Sequence, residues 1–506
     1  MSKNLRGPLL AAIFTTGLAG AFAAPAGAET LADAIALAYE TNPTLQAQRA
    51  GQRALDETYV QARSGWRPQV SLSDSTTYSD NAVPRAARTL FNSSLKSNTG
   101  NAALNLTQPI WTGGRTAAAV SAAEADILSG RESLRRVEAQ VILNVVQAYV
   151  DVRRDQDGVR IRQRNVAVLQ KQLEESKARF DVGEITRTDV AQSQSRLAAA
   201  QALLQSAMAQ FAISRANYAA VVGQNPGELA DVPSLDFLLP GNADDAFAVA
   251  EKFNPLLRAQ EYAEQASRAR VSAARAERLP SLSLRATLGF SGVVSPAYID
   301  RWSRNVTGAA TLTVPLFAGG LTSSRIRQSV ERNNVDRITI EAQRRAVLQS
   351  VTQAWNQLVA SRANIDSTGE AVRAAQIAAE GTRQEQQVGL RTTLDVLNAE
   401  QELRNNELSA SAARHDEYLS AATVLSAMGR LEARNLVPTL AQYDSKSNFR
   451  RLRLSWGWTP WEEPISVIDR VLSAPPIPRP MDKPGEAAIG PGLQPPPTVT
   501  PASPRK

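Results

Sequence analysis

Apolar residues recur every seventh position through Val145, Val152, Val159, Val166, Leu173 and Phe180. A strict seven-residue stripe marks a helix seam that faces another helix. No proline falls between Arg115 and Phe180. The run therefore predicts one helix over about 115–180, roughly 100 Å long at 1.5 Å per residue. The intermediate positions are poorer, with Ala148 and Leu169 but also Asp155 and Arg162. Such a seam is narrow, and on its own it fits a rod and a tube equally well. Gly183 punctuates the far end, and a return helix over about 188–222 stops at Gly223-Gln224-Asn225-Pro226.

Upstream of the long helix the period changes from seven to two. Leu104 and Leu106 alternate with Asn105 and Thr107, and Pro109 is expected to end that strand. A partial alternation over 69–78 precedes it, and 79–97 reads as polar and turn-like. Short helices over 31–39 and 45–62, separated at Asn42-Pro43, come before both strands.

The order then restarts. Asn254-Pro255 answers Asn42-Pro43, and Pro315 with Gly319-Gly320 answers Pro109 with Gly113-Gly114. Val351, Leu358, Ile365, Val372 and Ala379 repeat the stripe at the same offset as the second glycine pair. Chance does not hold register over this distance, so the chain is a tandem duplication. The repeats are predicted at 29–235 and 236–440. The second has strands over about 281–290 and 305–316, a long helix over about 321–387 and a return helix over about 394–428.

The second-half strands are the cleaner ones. Leu282, Leu284, Ala286 and Leu288 alternate with Ser283, Arg285 and Thr287. Val306, Ala310, Leu312 and Val314 oppose Thr307, Thr311 and Thr313. Ten-residue strands with one apolar and one polar face suit a barrel wall between lipid and water. A soluble sheet with one wet face gives the same alternation. The barrel reading puts Asn105, Thr107, Ser283, Arg285, Thr311 and Thr313 toward the lumen. Four strands cannot close a barrel, and known single-chain barrels start at eight. Two, three or four copies would supply eight, twelve or sixteen strands.

Composition narrows the choice. Net charge is +7, with 56 basic and 49 acidic residues interspersed. That describes a solvated helical surface and no nucleic-acid footprint. Lys3 and Arg6, an apolar stretch over 9–18, and Ala26-Gly27-Ala28 read as a signal peptide over 1–28. No later run reaches 18 apolar residues, so any membrane span would have to be a β-barrel. The absence of cysteine excludes a disulfide, a thiolate nucleophile and lipid attachment at an N-terminal Cys. The single histidine, His415, is expected to be a solvated helix residue. With no Gly-rich phosphate loop and no clustered carboxylates, the chain reads as a non-enzyme without cofactor or metal.

A C-terminal extension, 441–506, differs from both repeats. Arg450, Arg451, Arg453, Trp456, Trp458 and Trp461 cluster in it, and from Pro475 proline-rich composition predicts disorder.

Several motifs resemble the TolC-type outer-membrane channels, in the non-lipidated branch that serves type I secretion and drug efflux. They are Leu31-Ala-Asp-Ala-Ile, Asn42-Pro43, Thr107-Gln-Pro-Ile-Trp111 and Ala148-Tyr149. Phe180-Asp-Val-Gly-Glu-Ile-Thr-Arg-Thr-Asp189, Val314-Pro-Leu-Phe-Ala-Gly-Gly320 and Val388-Gly-Leu-Arg-Thr-Thr-Leu-Asp395 complete the set. The resemblance covers about 29–435. It implies a mixed fold, all-α plus membrane β-barrel. A homotrimer would form a 12-stranded barrel in outer-membrane lipid and a periplasmic α-helical barrel. The implied partners are a periplasmic adaptor and an inner-membrane transporter, ABC or proton-driven.

The resemblance further implies a gate at Thr188, Asp189, Arg391 and Asp395. Asn398 stands where the family often has a second acidic ring, though Glu400 lies close by. Val182, Gly183, Val388, Gly389 and Leu390 match the tips that dock the adaptor. Asp189 and Asp395 also open helices, where a carboxylate is favourable without any gate. The expected function is a passive exit duct of a tripartite export system. The rival reading is an exported coiled-coil structural or adaptor protein without a membrane barrel.

Overall fold

The computed structural model describes residues 28–82, 94–294, 301–454 and 459–473. The expected signal segment through Gly27, Trp456, Trp458 and the proline-rich end lie outside the described residues.

In the first repeat, α1 (Leu31–Thr41) and α2 (Pro43–Arg63) meet at Asn42. Its side chain accepts from the Thr44 and Leu45 N–H groups, and Pro43 takes the first helical position, which needs no donor. A short turn at Ser64–Trp66 leads into β1 (Gln69–Ala82), β2 (Ser94–Trp111), α3 (Arg115–Asp181) and α4 (Arg187–Val222). The second repeat runs α5 (Ala243–Phe253), α6 (Pro255–Ala276), β3 (Ser281–Val293), β4 (Ser303–Thr313), α7 (Leu321–Gln387) and α8 (Thr393–Ala427). Asn254 caps α6 just as Asn42 caps α2. Three short helices follow: α9 (Ala433–Leu436), α10 (Ser447–Leu454) and α11 (Glu462–Val471).

Helices α3 and α7 each hold 67 residues, about 100 Å end to end. Both start after a left-handed glycine, Gly114 at φ 83° and Gly320 at φ 84°. Along α3, Val145 and Val152 are fully buried, Val159 and Val166 are half-buried, and Phe180 is exposed. The stripe thus seals best at mid-helix. There it joins Tyr149, Tyr218, Val351, Leu358 and Leu425 in the main core.

The four strands form one antiparallel sheet in the order β1-β2-β3-β4, with β2 and β3 joining the two repeats. Among the described residues the outer edges of β1 and β4 carry no partner strand. Several strand bounds differ from expectation. β1 and β2 continue through Ala82 and from Ser94, so polar residues expected in a turn are paired instead, Asp80 with Lys96 and Ser79 with Ser97. Pro109 does not end β2: the ladder shifts register between Pro109 and Trp111 and continues. A proline lacks only its own N–H, and an irregularity absorbs that loss. β4 stops at Thr313, leaving Val314 and Leu316 outside the ladder.

His415 is not a solvated residue. Its side chain is 8% exposed and lies between Asp151 of α3 and Asp416. The Arg-rich part of the C-terminal extension packs on the body: the Phe449 ring centroid lies 4.9 Å from that of Tyr59.

Candidate functional site: the sheet faces and the hairpin tips

Strand register decides what each face of the sheet presents, because directly opposed residues point the same way. Leu72, Leu104, Leu288 and Val306 lie in one row across all four strands. Val70, Leu106 and Ala286 form the next row, and Leu282 opposes Leu312. This face is apolar and uncovered in the single chain, with Leu72 77% and Leu312 60% exposed. The opposite face carries Thr107 beside Arg285, Ser283 beside Thr311, and Thr313 beside Ser281. Asn105 is the hub of that face. Its amide donates to Ser73 Oγ at 3.2 Å, and its carbonyl accepts from Thr287 Oγ1 at 3.0 Å. The six polar positions singled out in the sequence therefore share one face.

At the far end of the helices, two hairpin turns match each other closely. Gly183 and Gly389 sit at φ 80° and 82°, a region that glycine enters without steric cost. The N–H of each donates back, Gly183 to Phe180 O and Gly389 to Gln386 O. Val182, Val388 and Leu390 are exposed at these turns.

Both turns end in the same cap. The Asp189 carboxylate accepts from Thr186 N at 3.0 Å and Thr186 Oγ1 at 2.7 Å. The Asp395 carboxylate accepts from Thr392 N at 3.0 Å and Thr392 Oγ1 at 2.8 Å. The Thr392 N–H holds the Asp395 carboxyl below the usual carboxylate range, helped by the Thr392 hydroxyl and by Arg391. Asp395 thus stays ionised at neutral pH.

Among the described residues, no hydrogen bond within one chain joins Arg391 or Asp395 to Thr188 or Asp189 of the other hairpin. Arg391 Nε binds Glu385 Oε2 of its own hairpin at 2.8 Å. Thr188 is exposed. Asn398 accepts from Arg196 Nη2 at 3.0 Å, a tie between α8 and α4 that no local sequence signal marks. Glu400, close by, is 3% exposed and bound by Arg383 and Arg404.

Among the described residues no helix is long and apolar enough to cross a membrane. None of the described His, Asp or Glu residues cluster as metal ligands.

Comparison with known proteins agrees with this architecture. An outer membrane efflux protein BepC from Brucella suis is 34% identical over 430 residues, spanning 85% of this chain and 91% of that protein. The alkaline protease secretion protein AprF of Pseudomonas aeruginosa is 30% identical over 305 residues, 59% of this chain and 63% of AprF. The Campylobacter jejuni CmeC outer membrane channel superposes with a TM-score of 0.71 at 16% identity, over 84% of this chain and 89% of that one. The outer membrane efflux protein model matches residues 34–224 and 248–430, one stretch in each repeat. The chain belongs to the outer membrane efflux protein family, channels of the outer membrane that serve export.

Proposed function

We propose that this protein is the exit duct of a tripartite export system and works as a homotrimer. Three copies of the four-stranded sheet give a closed 12-stranded barrel, with the free edge of β4 pairing with β1 of the next copy. Closure removes both exposed edges at once. The apolar face, with Leu72 and Leu312, then meets outer-membrane lipid. The face with Asn105, Thr107, Ser283, Arg285, Thr311 and Thr313 lines the water-filled bore. The repeats, 29–235 and 236–440, contribute equally to barrel and tunnel.

The two hairpins of each copy form the inner mouth. Arg391 exchanges Glu385 for Thr188 and Asp189 of a neighbouring copy, which are held ready by the cap at Thr186. Such exposed ties are individually weak, so a partner can break them. Asp395 recurs once per copy as an acidic ring that attracts cations, and Asn398 leaves it without a second ring. Val182, Gly183, Val388, Gly389 and Leu390 dock a periplasmic adaptor, which couples the duct to an inner-membrane transporter. Transport through the duct is passive, and the chain itself performs no catalysis.

The observation that carries this reading is the uncovered apolar sheet face joined to two helices of about 100 Å. Thiol labelling tests it. Ser283→Cys and Thr311→Cys should react with a water-soluble maleimide in reconstituted protein, while Leu284→Cys and Leu312→Cys should not. The reverse pattern would overturn the assignment of faces.

A further inference from the structure

Helix α11 is built inside out. Its buried side carries Glu462 and Asp469, both 0% exposed, with Ser466 and a single large apolar residue, Ile465. Its outward side carries Val467, Ile468, Val471 and Leu472, all exposed, with Val471 at 75%. A helix against a water-facing surface has the opposite arrangement, apolar in and polar out.

The buried side explains how the helix is held. Glu462 takes Arg63 Nε at 2.6 Å and Arg67 Nε at 3.1 Å, where α2 ends. Two turns on, Asp469 accepts from the N–H groups of Thr112, Gly114 and Ala117 at 2.8, 3.1 and 3.2 Å, where α3 begins. The Thr112 hydroxyl donates as well, at 3.0 Å, and Trp66 Nε1 at 3.2 Å. Helix α11 is thus pinned between the end of α2 and the start of α3, at the level where strands give way to helices.

Its two flanks differ. On the strand side, Trp461 Nε1 donates to Gln108 Oε1 at 3.3 Å. Gln108 opposes Leu284 in the ladder and so belongs to the apolar face. On the other flank, Glu463 lies 3.6 Å from Arg63, and the Arg470 guanidinium sits 5.7 Å from the Trp66 ring. Through Trp461 and Gln108, α11 thus adjoins the apolar face of the sheet, and its charged residues lie against Arg63 and Trp66 at the end of α2.

We infer that α11 is an interfacial anchor, whose Val467, Ile468, Val471 and Leu472 enter the phospholipid of the periplasmic leaflet. This rests on the barrel reading given above. A helix lying in the membrane plane, with its apolar side in the acyl boundary and charges on the opposite flank, is a stable monotopic arrangement. Trp461 sits at the wall with its ring in the apolar flank and its N–H satisfied, as interfacial tryptophans do. The polar buried side follows from the same logic. With lipid outside, the fixing contacts have to be hydrogen bonds and ion pairs to the protein, because apolar packing no longer distinguishes protein from lipid. Among the described residues no such helix covers the junction of the second repeat, where Leu316 and Phe317 stand exposed.

The chain has no cysteine, so single cysteines can be placed cleanly. Nitroxides at Val467→Cys and Val471→Cys are compared with Leu284→Cys on the sheet and Val388→Cys at a hairpin tip. All are measured in full-length protein in phosphatidylethanolamine/phosphatidylglycerol bilayers. The accessibility ratio of oxygen to an aqueous nickel chelate should rise at Val467 and Val471 to the level of Leu284, well above Val388. Nickel-accessible labels on α11 beside a lipid-exposed Leu284 would overturn the anchor alone. Labels shielded from both reagents would mean that protein, such as a neighbouring copy, covers the patch, and would also overturn it. Nickel accessibility at Leu284 as well would remove the barrel reading beneath it.

Discussion

His415 Nε2 on α8 lies 2.9 Å from the Asp151 carboxylate on α3, and this pair ties the two helices of different repeats together. The other ring nitrogen, Nδ1, lies 2.8 Å from Asp416. A neutral imidazole has one N–H and cannot donate to both carboxylates, so the geometry selects the charged form. Burial works against that charge, as does Arg154. The hydrogen bonds to Asp151 and Asp416 outweigh both and raise the histidine above its ordinary value of 6.5.

A group whose folded pKa is raised contributes stability that is complete below the unfolded value and is lost as pH climbs through the folded one. His415→Gln should therefore lower the melting temperature at about pH 5.5 and have a smaller effect at about pH 9, well above the ordinary histidine range. Thermal unfolding of both proteins at the two pH values checks this. An equal deficit at both would show that the ring acts by packing alone.

Glu462 offers a second test, at the junction between sheet and helices. Glu462→Ala removes the carboxylate shared by Arg63 and Arg67, both nearly buried. Breaking a buried ion pair by deleting one partner costs about 3–5 kcal/mol. Limited proteolysis should then cut near α11 while the mid-helix core stays protected. Wild-type resistance around α11 would contradict the role of this carboxylate.

At the inner mouth, Arg391→Ala or Asp395→Ala should raise single-channel conductance in planar bilayers. Asp395→Ala should also reduce preference for cations, since the ionised ring is lost. Unchanged conductance in both variants would end the assignment of the gate to these residues.

Docking at the tips can be separated from folding. Val388 and Leu390 are exposed and make no core contact, so Val388→Asp with Leu390→Asp should leave the melting temperature close to wild type, as exposed substitutions do. Capture of the cognate adaptor by the purified channel should fall sharply. Undiminished capture would move the docking surface elsewhere.

Much of this architecture is legible along the chain because it is written in periods. The seven-residue stripe gives α3 and α7, Gly183 and Gly389 mark the turns, and the repeated Asn-Pro and Pro…Gly-Gly pairs expose the duplication. The alternation of Leu284 with Ser283 and Arg285 sorts the two sheet faces. Where periodicity fails, the reading fails too. Ser79, Asp80, Lys96 and Ser97 belong to strands but are polar whichever way they point, so no alternation marks them. His415 looks solvated in sequence because Asp151, which binds its ring, is 264 positions away. Glu462 and Asp469 are likewise silent, since Arg63 and Thr112 lie in the other half of the chain. Arg391 and its expected partners would be a relation between copies, and within one chain Arg391 pairs with Glu385 instead.

Whether several copies share one barrel is read most directly from the native mass of the complex extracted in mild detergent. Three chains per particle, persisting in lipid nanodiscs, is the result the account requires. A particle holding a single chain in both settings would leave β1 and β4 with open edges in the bilayer, and the account would be wrong.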